Sequence, residues 1–195
     1  MAVSGSKDFE LNITEFIEEA YERCGLELRT GYDLKTAIRS ANLMLAEWAN
    51  RGLNQWTIST GTQTVTEGTN NYQLGTSTID ILDVTIRRTV GTDTTDIRMD
   101  RLSRSEFFSI PNKESKSKPS QFFLDKQINP VLFLYPTPEN STDIIRFTKL
   151  ERIDDVDSAT NTMQMPFRLF PCFVAGLAYY LSQKRAPERT MELKA

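Results

Sequence analysis

The sequence contains no histidine among its 195 residues. This absence excludes Ser-His-Asp and Cys-His nucleophile activation, imidazole metal ligation and the usual proton shuttle near neutral pH. No P-loop, GxGxxG, HExxH or EF-hand pattern is present either. The acidic stretch Asp154 to Asp157 lacks the regular spacing of a dedicated calcium loop. We therefore expect a protein that is not an enzyme and that has no cofactor, no catalytic residue and no metal site.

Cysteine is scarce and long apolar runs are missing. Cys24 and Cys172 form no CxxC pair and lie in apolar helical patterns, which predicts two buried free thiols. The longest apolar run, Phe173 to Leu181, is less than half a bilayer span, so we expect no membrane association. The first ten residues lack the apolar stretch of a signal peptide, which predicts an aqueous, cytoplasmic compartment.

The chain also lacks the positive charge of a protein that grips nucleic acid. It has 23 Lys and Arg residues against 26 Asp and Glu residues, a formal net charge of -3. Proteins that bind DNA tightly neutralise its phosphates with clustered cations. Any contact with DNA should therefore be loose and non-specific.

The pattern of residue types predicts an α+β fold. Thirteen of the 22 threonines fall between Thr57 and Thr95, where they alternate with apolar residues as in a half-exposed sheet. Helical spacing flanks this region on both sides. The sequence therefore predicts a helical bundle platform, made of the N- and C-terminal helices, with an inserted antiparallel β-rich domain. The expected boundaries are 1–54, 55–158 with a short helix near 103–109, and 159–195.

Helix signals are clearest in the N-terminal part. Asn12 or Thr14 is the candidate N-cap of a first helix that ends at Gly25. Asp33 is the expected N-cap of a second helix that ends at Gly52. The acidic face of the first helix is interpreted as solvated.

The second and the last predicted helices carry more apolar surface than contact with one other helix would bury. Leu43 and Met44 lie off the main apolar stripe of the second helix, which implies a second packing neighbour. The last helix, preceded by an irregular segment from Pro166 to Phe170, carries a broad apolar band that Tyr180 widens. Its neighbours are either its own core or adjacent subunits.

The strand predictions rest on alternation. Leu82, Val84 and Ile86 alternate with polar residues and give the clearest signal. Ser103 and Glu106 form a capping box that opens a short helix. The remaining predicted strands are 55–60, 63–66, 72–74, 121–124, 131–135 and the segment around Ile145.

Several residues are candidates for contact with other proteins or with DNA. Trp48 and Trp56 bracket a helix-to-strand turn and suit core and interface equally well. The segment Pro187 to Ala195 is expected to leave the core and dock elsewhere, with a frayed terminus as the alternative. The predicted residues for contact with another subunit or another protein are Trp48, Trp56, Phe173, Tyr180, Arg185, Arg189, Met191 and Leu193. The loop predicted to face DNA or another protein carries Lys113, Lys116 and Lys118, with a plain solvated loop as the alternative.

The stretch LMLAEWANRGLNQWTI, Leu43 to Ile58, resembles the head-to-tail adaptor proteins of short-tailed phages. Further matching features follow in order: RLSRSEFFSIPNK from Arg101, PSQFFLD from Pro119, LFLYPTPEN from Leu132 and the aromatic helix from Phe167 that ends in KRAP. The resemblance implies a virion protein, assembled in the host cytoplasm, that forms a homo-oligomeric ring of twelve subunits. It also implies a portal protein and a tail nozzle protein as partners, and an extended channel in which double-stranded DNA makes transient, non-specific contact. In that setting the protein helps to retain packaged DNA and to attach the tail.

A second hypothesis comes from the threonine-rich strands and the aromatic residues. They are compatible with a monomeric β-rich module that binds carbohydrate or peptide. The two hypotheses differ in oligomeric state, because the adaptor requires surfaces that pack against other subunits and the binding module does not.

Overall fold

A computed structural model describes residues 9–53 and 55–194, and shows the α+β fold that was predicted. The chain divides into a helical unit, Met1–Trp56 with Ile153–Ala195, and a β unit, Thr57–Arg152. The β unit is inserted between the N- and C-terminal helices. Most of the ten residues that lack a signal-peptide pattern lie outside the described range.

The elements of the described residues run in the following order. The helices are α1 (Ile13–Arg23), α2 (Gly31–Asn50), α3 (Arg104–Ser109), α4 (Phe170–Arg185) and α5 (Thr190–Leu193). The strands are β1 (Ile58–Thr64), β2 (Asn71–Gln73), β3 (Thr78–Val90), β4 (Asp93–Arg98), β5 (Asp100–Arg101), β6 (Lys116–Ser117), β7 (Gln121–Asp125), β8 (Val131–Tyr135), β9 (Thr137–Pro138) and β10 (Ile144–Glu151).

Local capping explains where the first two helices begin. Asn12 Oδ1 accepts a hydrogen bond from the Glu15 amide at 3.0 Å, and the Glu15 carboxylate accepts one from the Asn12 amide at 2.8 Å. This capping box selects Asn12 from the two candidates. The prediction for α2 is wrong by three residues. Thr30 is the N-cap, because its hydroxyl accepts from the Asp33 amide at 3.2 Å, and Asp33 lies inside the first turn.

The core of the helical unit lies between α1, α2 and α4. The ring of Phe16 contacts Phe170 and Phe173 edge-on, with centroids 4.9 and 5.3 Å apart. The thiol of Cys24 is buried and donates to the Ala178 carbonyl at 3.3 Å. Burial raises the pKa of this thiol. The matching prediction for Cys172 is wrong, since that residue is exposed in the first turn of α4.

The β unit contains two four-stranded sheets with orders β1-β10-β3-β4 and β2-β8-β7-β5. Apolar side chains from both sheets form one shared core, in which Ile81, Ile86, Leu132, Leu134 and Ile145 are fully buried. Pairing is antiparallel except in β5–β7 and β6–β9. The sheets therefore enclose an apolar layer between their facing sides.

Two strand predictions need correction. The register between β10 and β3 shifts between Thr148 and Lys149, which leaves Leu82 as an extra residue in β3. This bulge turns Leu82 outward, where 44% of it is exposed, so the predicted alternation fails at that position. Residues 55–57 form a 3-10 turn, and the two strands predicted over 55–66 are the single strand β1.

The predicted capping box of α3 is confirmed, with hydrogen bonds in both directions between Ser103 and Glu106. The irregular segment before α4 is also present, as a 3-10 turn over Phe167–Leu169. No helix among residues 9–53 and 55–194 is both long enough and apolar enough to cross a membrane.

Candidate assembly interface

One face of α4 is exposed although it carries no charge. The fourteen residues from Phe170 to Gln183 contain no Asp, Glu, Lys or Arg. Half of the helix packs into the core, and the other half is exposed or half-buried. We call this outer half the uncharged face; its residues are Pro171, Cys172, Ala175, Gly176, Tyr179, Tyr180 and Gln183. Solvated helix faces normally carry charged residues, so this face is suited to contact with another surface.

A groove runs beside the uncharged face, between α2 and α4. It has a volume of about 450 Å³ and includes Met44, Trp48 and Gly176 among its lining residues. A side chain at Gly176 would place its Cβ 2.7 Å from the sulfur of Met44. Glycine therefore permits the close approach of the two helices that forms the floor of this groove.

The polar end of the groove is a hydrogen-bonded cluster. The Tyr180 hydroxyl donates to the Glu47 carboxylate, which also pairs with Arg51 one turn later in α2. The hydrogen bond from Tyr180, supported by the charge of Arg51, lowers the pKa of Glu47. The same hydrogen bond raises the pKa of Tyr180. This cluster connects α2 and α4 at the rim of the groove.

The two tryptophans each combine core contact with partial exposure. Trp48 is half-buried, with its ring 6.3 Å from that of Phe173. The indole N–H of Trp56 donates to the Gln164 carbonyl at 2.8 Å. Phe173, by contrast, is fully buried inside the helical unit, so the prediction that it contacts a partner directly is wrong for this subunit.

The candidate residues near the C-terminus lie on the helical unit itself. Arg185 forms an ion pair with Asp33 at 2.7 Å and lies over the ring of Tyr32. Arg189 lies beside Gly25 and pairs with Glu192 at 3.6 Å.

The expectation that the segment after Pro187 leaves the core is wrong for its described residues. Thr190 accepts a hydrogen bond from Ser182 at 3.1 Å, and Leu193 packs against the core. Among the large apolar side chains of residues 187–194, Met191 projects into solvent, with 79% of it exposed. The terminal turn is thus part of the unit's surface.

The three lysines predicted to face DNA or the tail occupy different environments in the β unit. Lys113 donates to the carbonyls of Phe108 and Ile110, at 3.2 and 2.9 Å, and so caps the end of α3. Lys116 pairs with Glu67 at 3.0 Å, and Lys118 is half-buried. Two of the three ammonium groups are therefore already held by acceptors of the same unit.

Sequence reasoning missed Glu47, Gly176 and Tyr179, which complete the groove. Their partners come from helices more than a hundred residues apart, so no local spacing brings them together. A usable signal was present: the absence of charge over fourteen residues that also contain two exposed small residues, Cys172 and Ala175.

Across the residues that the structure describes, no group of three or more Cys, Asp or Glu side chains is arranged to hold a metal ion. What these residues offer instead is packing surface: an uncharged helix face, a groove with a defined polar rim, and partly exposed aromatic rings. Such features are typical of the core of a protein–protein interface.

Comparison with known proteins agrees with this description. The model of the family described as SU10 adaptor protein matches residues 11–193, which is nearly the whole chain. A search of curated proteins found no match. The match covers both units, including α2, α4 and the inserted sheets. The chain therefore belongs to the SU10 adaptor protein family and is a structural adaptor protein of a phage.

Proposed function

We propose that this adaptor forms a ring between the portal and the tail nozzle, extends the DNA channel, helps to retain packaged DNA and attaches the tail. The ring has twelve subunits, the number implied by the resemblance to head-to-tail adaptors, and it is assembled in the host cytoplasm. The observation that carries this proposal is the uncharged face of α4 beside the α2–α4 groove. A surface of this kind gains free energy when a partner removes it from water.

A ring can attach firmly through a weak contact, because each of its subunits contributes one copy of that contact. The uncharged face contains small and aromatic residues, and a single copy buries only part of one helix. Twelve copies attached to one portal act together, so a modest contact per subunit gives a firm joint. The interface candidates Trp48, Tyr180, Arg185, Arg189, Met191 and Leu193 belong to the same unit, and Trp56 lies at its edge.

A net negative charge suits a subunit that surrounds a channel through which DNA passes. With a formal net charge of -3, the subunit has no surplus of cations to hold phosphates. DNA contact is then transient and non-specific. We also infer that the protein is not an enzyme, because its sequence has no histidine and its described surfaces are suited to packing.

Mass photometry of the full chain, alone and with portal rings of the same phage, tests the proposal. We expect twelve copies bound per portal ring. Ala175→Arg puts a charge on the uncharged face and should lower the bound copies at least about ten-fold, since a buried unpaired charge opposes association. The matched control is Ile128→Arg, at a position in the β unit that is 91% exposed. Monomers under both conditions would contradict the ring.

A further inference from the structure

The helical unit carries two exposed helix faces of opposite charge. On α2, Lys35 and Arg39 lie on one side together with Leu43, which is 57% exposed. We call this the basic face. On α1, the acidic face is made by Glu15, Glu18, Glu19 and Glu22, all of them exposed. Both faces follow helical spacing, so each forms one continuous side of its helix.

Four of these charges have no partner among the residues that the structure describes. Glu15 accepts from the Asn12 amide, and Glu19 pairs with Arg23 at 2.9 Å. Among residues 9–53 and 55–194, no ion pair or hydrogen bond satisfies the side-chain charges of Glu18, Glu22, Lys35 and Arg39. These four charges are available to another molecule.

Their placement is unfavourable in an isolated subunit. Glu18 and Glu22 are four residues apart on one helix, as are Lys35 and Arg39, and like charges at this spacing repel each other. Glu22 also lies in the last turn of α1, at the negative end of the helix dipole. The helix dipole does not account for Glu22, and a face of opposite sign would reduce the repulsion within each pair.

The two faces match in spacing as well as in sign. A separation of four residues corresponds to about 6 Å along a helix axis. Two helices packed side by side can therefore align both glutamates with both cations. Leu43 lies next to Arg39 on the basic face and offers apolar contact to the aliphatic part of the glutamate side chains.

We propose that the basic face of α2 in one copy packs against the acidic face of α1 in the next copy of this chain. The proposal rests on the proposed ring and assigns its subunit-to-subunit contact. The two faces belong to different helices of one unit, so the contact joins non-identical surfaces. Contacts of that kind close into rings when the rotation between copies is suitable.

Paired charge reversals test this contact directly. The acidic-face variant is Glu18→Lys with Glu22→Lys, and the basic-face variant is Lys35→Glu with Arg39→Glu. We expect each variant to reduce complete rings on the portal at least about ten-fold, and the fourfold variant that combines them to restore rings to within about two-fold of the original protein. Copies per portal ring are counted by mass photometry, after circular dichroism has compared the fold of each variant with the original.

The control changes net charge equally without touching either face. Asp93→Lys with Asp100→Lys adds the same charge as the acidic-face variant at two exposed positions of the β unit. It should leave ring formation unchanged. If a reversal variant does not fold, the milder changes Glu18→Gln with Glu22→Gln, and Lys35→Gln with Arg39→Gln, serve instead. Each should weaken the ring and reduce its sensitivity to salt, because screening acts on the paired charges.

The outcomes separate this inference from the proposed function. If the original chain forms no ring on the portal, the proposed function and the contact between the two faces are both overturned. If it forms rings that every reversal leaves intact, the proposed function stands and the contact between faces is overturned. Rings that survive the basic-face change while binding of double-stranded DNA is lost would also overturn it, and would assign Lys35 and Arg39 to phosphate contact. Failure of the fourfold variant to restore rings would show that the two faces have different partners.

Discussion

Charged side chains serve different purposes in the two units. In the β unit, ion pairs join separate elements: Arg101 on β5 pairs with Asp80 on β3, and Arg104 on α3 pairs with Asp125 on β7. In the helical unit most pairs are local, such as Arg23 with Glu19 within α1. The ion pairs of the β unit thus connect separate strands and loops, whereas those of the helical unit lie mostly within one helix or turn.

The aromatic clusters of the two units are also arranged differently. In the helical unit, edge contacts run from the exposed Phe167 through Phe170 into the core. In the β unit, Phe107 of α3 stacks on Phe123 and covers the outer side of the β7–β8 pair, with Lys113 above the ring. The aromatic cluster of the β unit covers its own sheet and has the exposed Phe108 at its edge, whereas the cluster of the helical unit connects the core to the exposed Phe167.

Among the substitutions that test this comparison, the largest loss of stability is expected at Arg88. Its guanidinium donates two hydrogen bonds to Asp143, at 3.0 and 2.7 Å, and Asp143 is only 1% exposed. Arg88→Ala leaves a buried carboxylate without its cation, which should destabilise the β unit by roughly 2–4 kcal/mol, since Arg88 itself keeps some exposure. Urea unfolding combined with hydrogen exchange of the β-strand amides measures this loss.

Arg87 supplies the matched control. It makes an equally bidentate pair with Asp96 on the neighbouring strand, but that carboxylate is exposed. Exposed pairs contribute little, so Arg87→Ala should have a clearly smaller effect. Equal losses from both variants would show that burial is not what makes the charges of the β unit important.

The second effect is expected at Gly61 in β1. A Cβ at this position would lie 2.4 and 2.6 Å from carbon atoms of the Phe147 ring. Gly61→Ala forces the buried ring to move, and overpacking of this kind costs about 1–3 kcal/mol. Hydrogen exchange should increase in β1 and β10, which pair at Gly61 and Phe147.

Gly31 in the helical unit is the corresponding control. It opens α2, and a Cβ there meets nothing within 4 Å. Gly31→Ala should therefore be neutral or stabilise the protein by about 0.4–1 kcal/mol, because alanine restricts the unfolded chain. A loss of stability at Gly31 equal to that at Gly61 would rule out ring displacement as the cause.

Sequence reasoning was most successful where the signals are local. The capping boxes of α1 and α3, the stop at Gly25 and the irregular lead-in to α4 all depend on residues a few positions apart. It failed at Leu82, because a bulge depends on the partner strand. It also missed β4, whose six residues are all exposed and therefore show no alternation of burial.

The candidate interface was predicted less completely for the same reason. Trp48 is predicted as a large aromatic near an element end and Tyr180 as a residue that widens the apolar band of α4, but the groove between them requires Gly176 to approach Met44. That contact joins helices separated by the whole inserted unit. Cys172 was assigned to the core because composition alone does not tell which side of a helix faces outward.

The smallest change in stability is expected on substitution of Asp80 in the β unit, and it should depend on pH. Burial alone would raise the pKa of this carboxyl, but hydrogen bonds from Lys126 and Arg101 outweigh it and hold the pKa below the ordinary value of 3.8. A depressed pKa in the folded state stabilises the protein above about pH 4, and this contribution is lost as the pH falls through the folded value. Asp80→Asn should therefore lower the melting temperature at about pH 7, and the difference between variant and original should shrink as the pH falls through the folded-state pKa of Asp80. Thermal unfolding followed by circular dichroism gives both differences, with the exposed Asp93→Asn as a control that should show little change at either pH. A difference for Asp80→Asn that persists unchanged in acid would mean that its ion pairs do not stabilise the β unit, and the contrast between the two units would then rest on the pairs of Asp125 and Asp143.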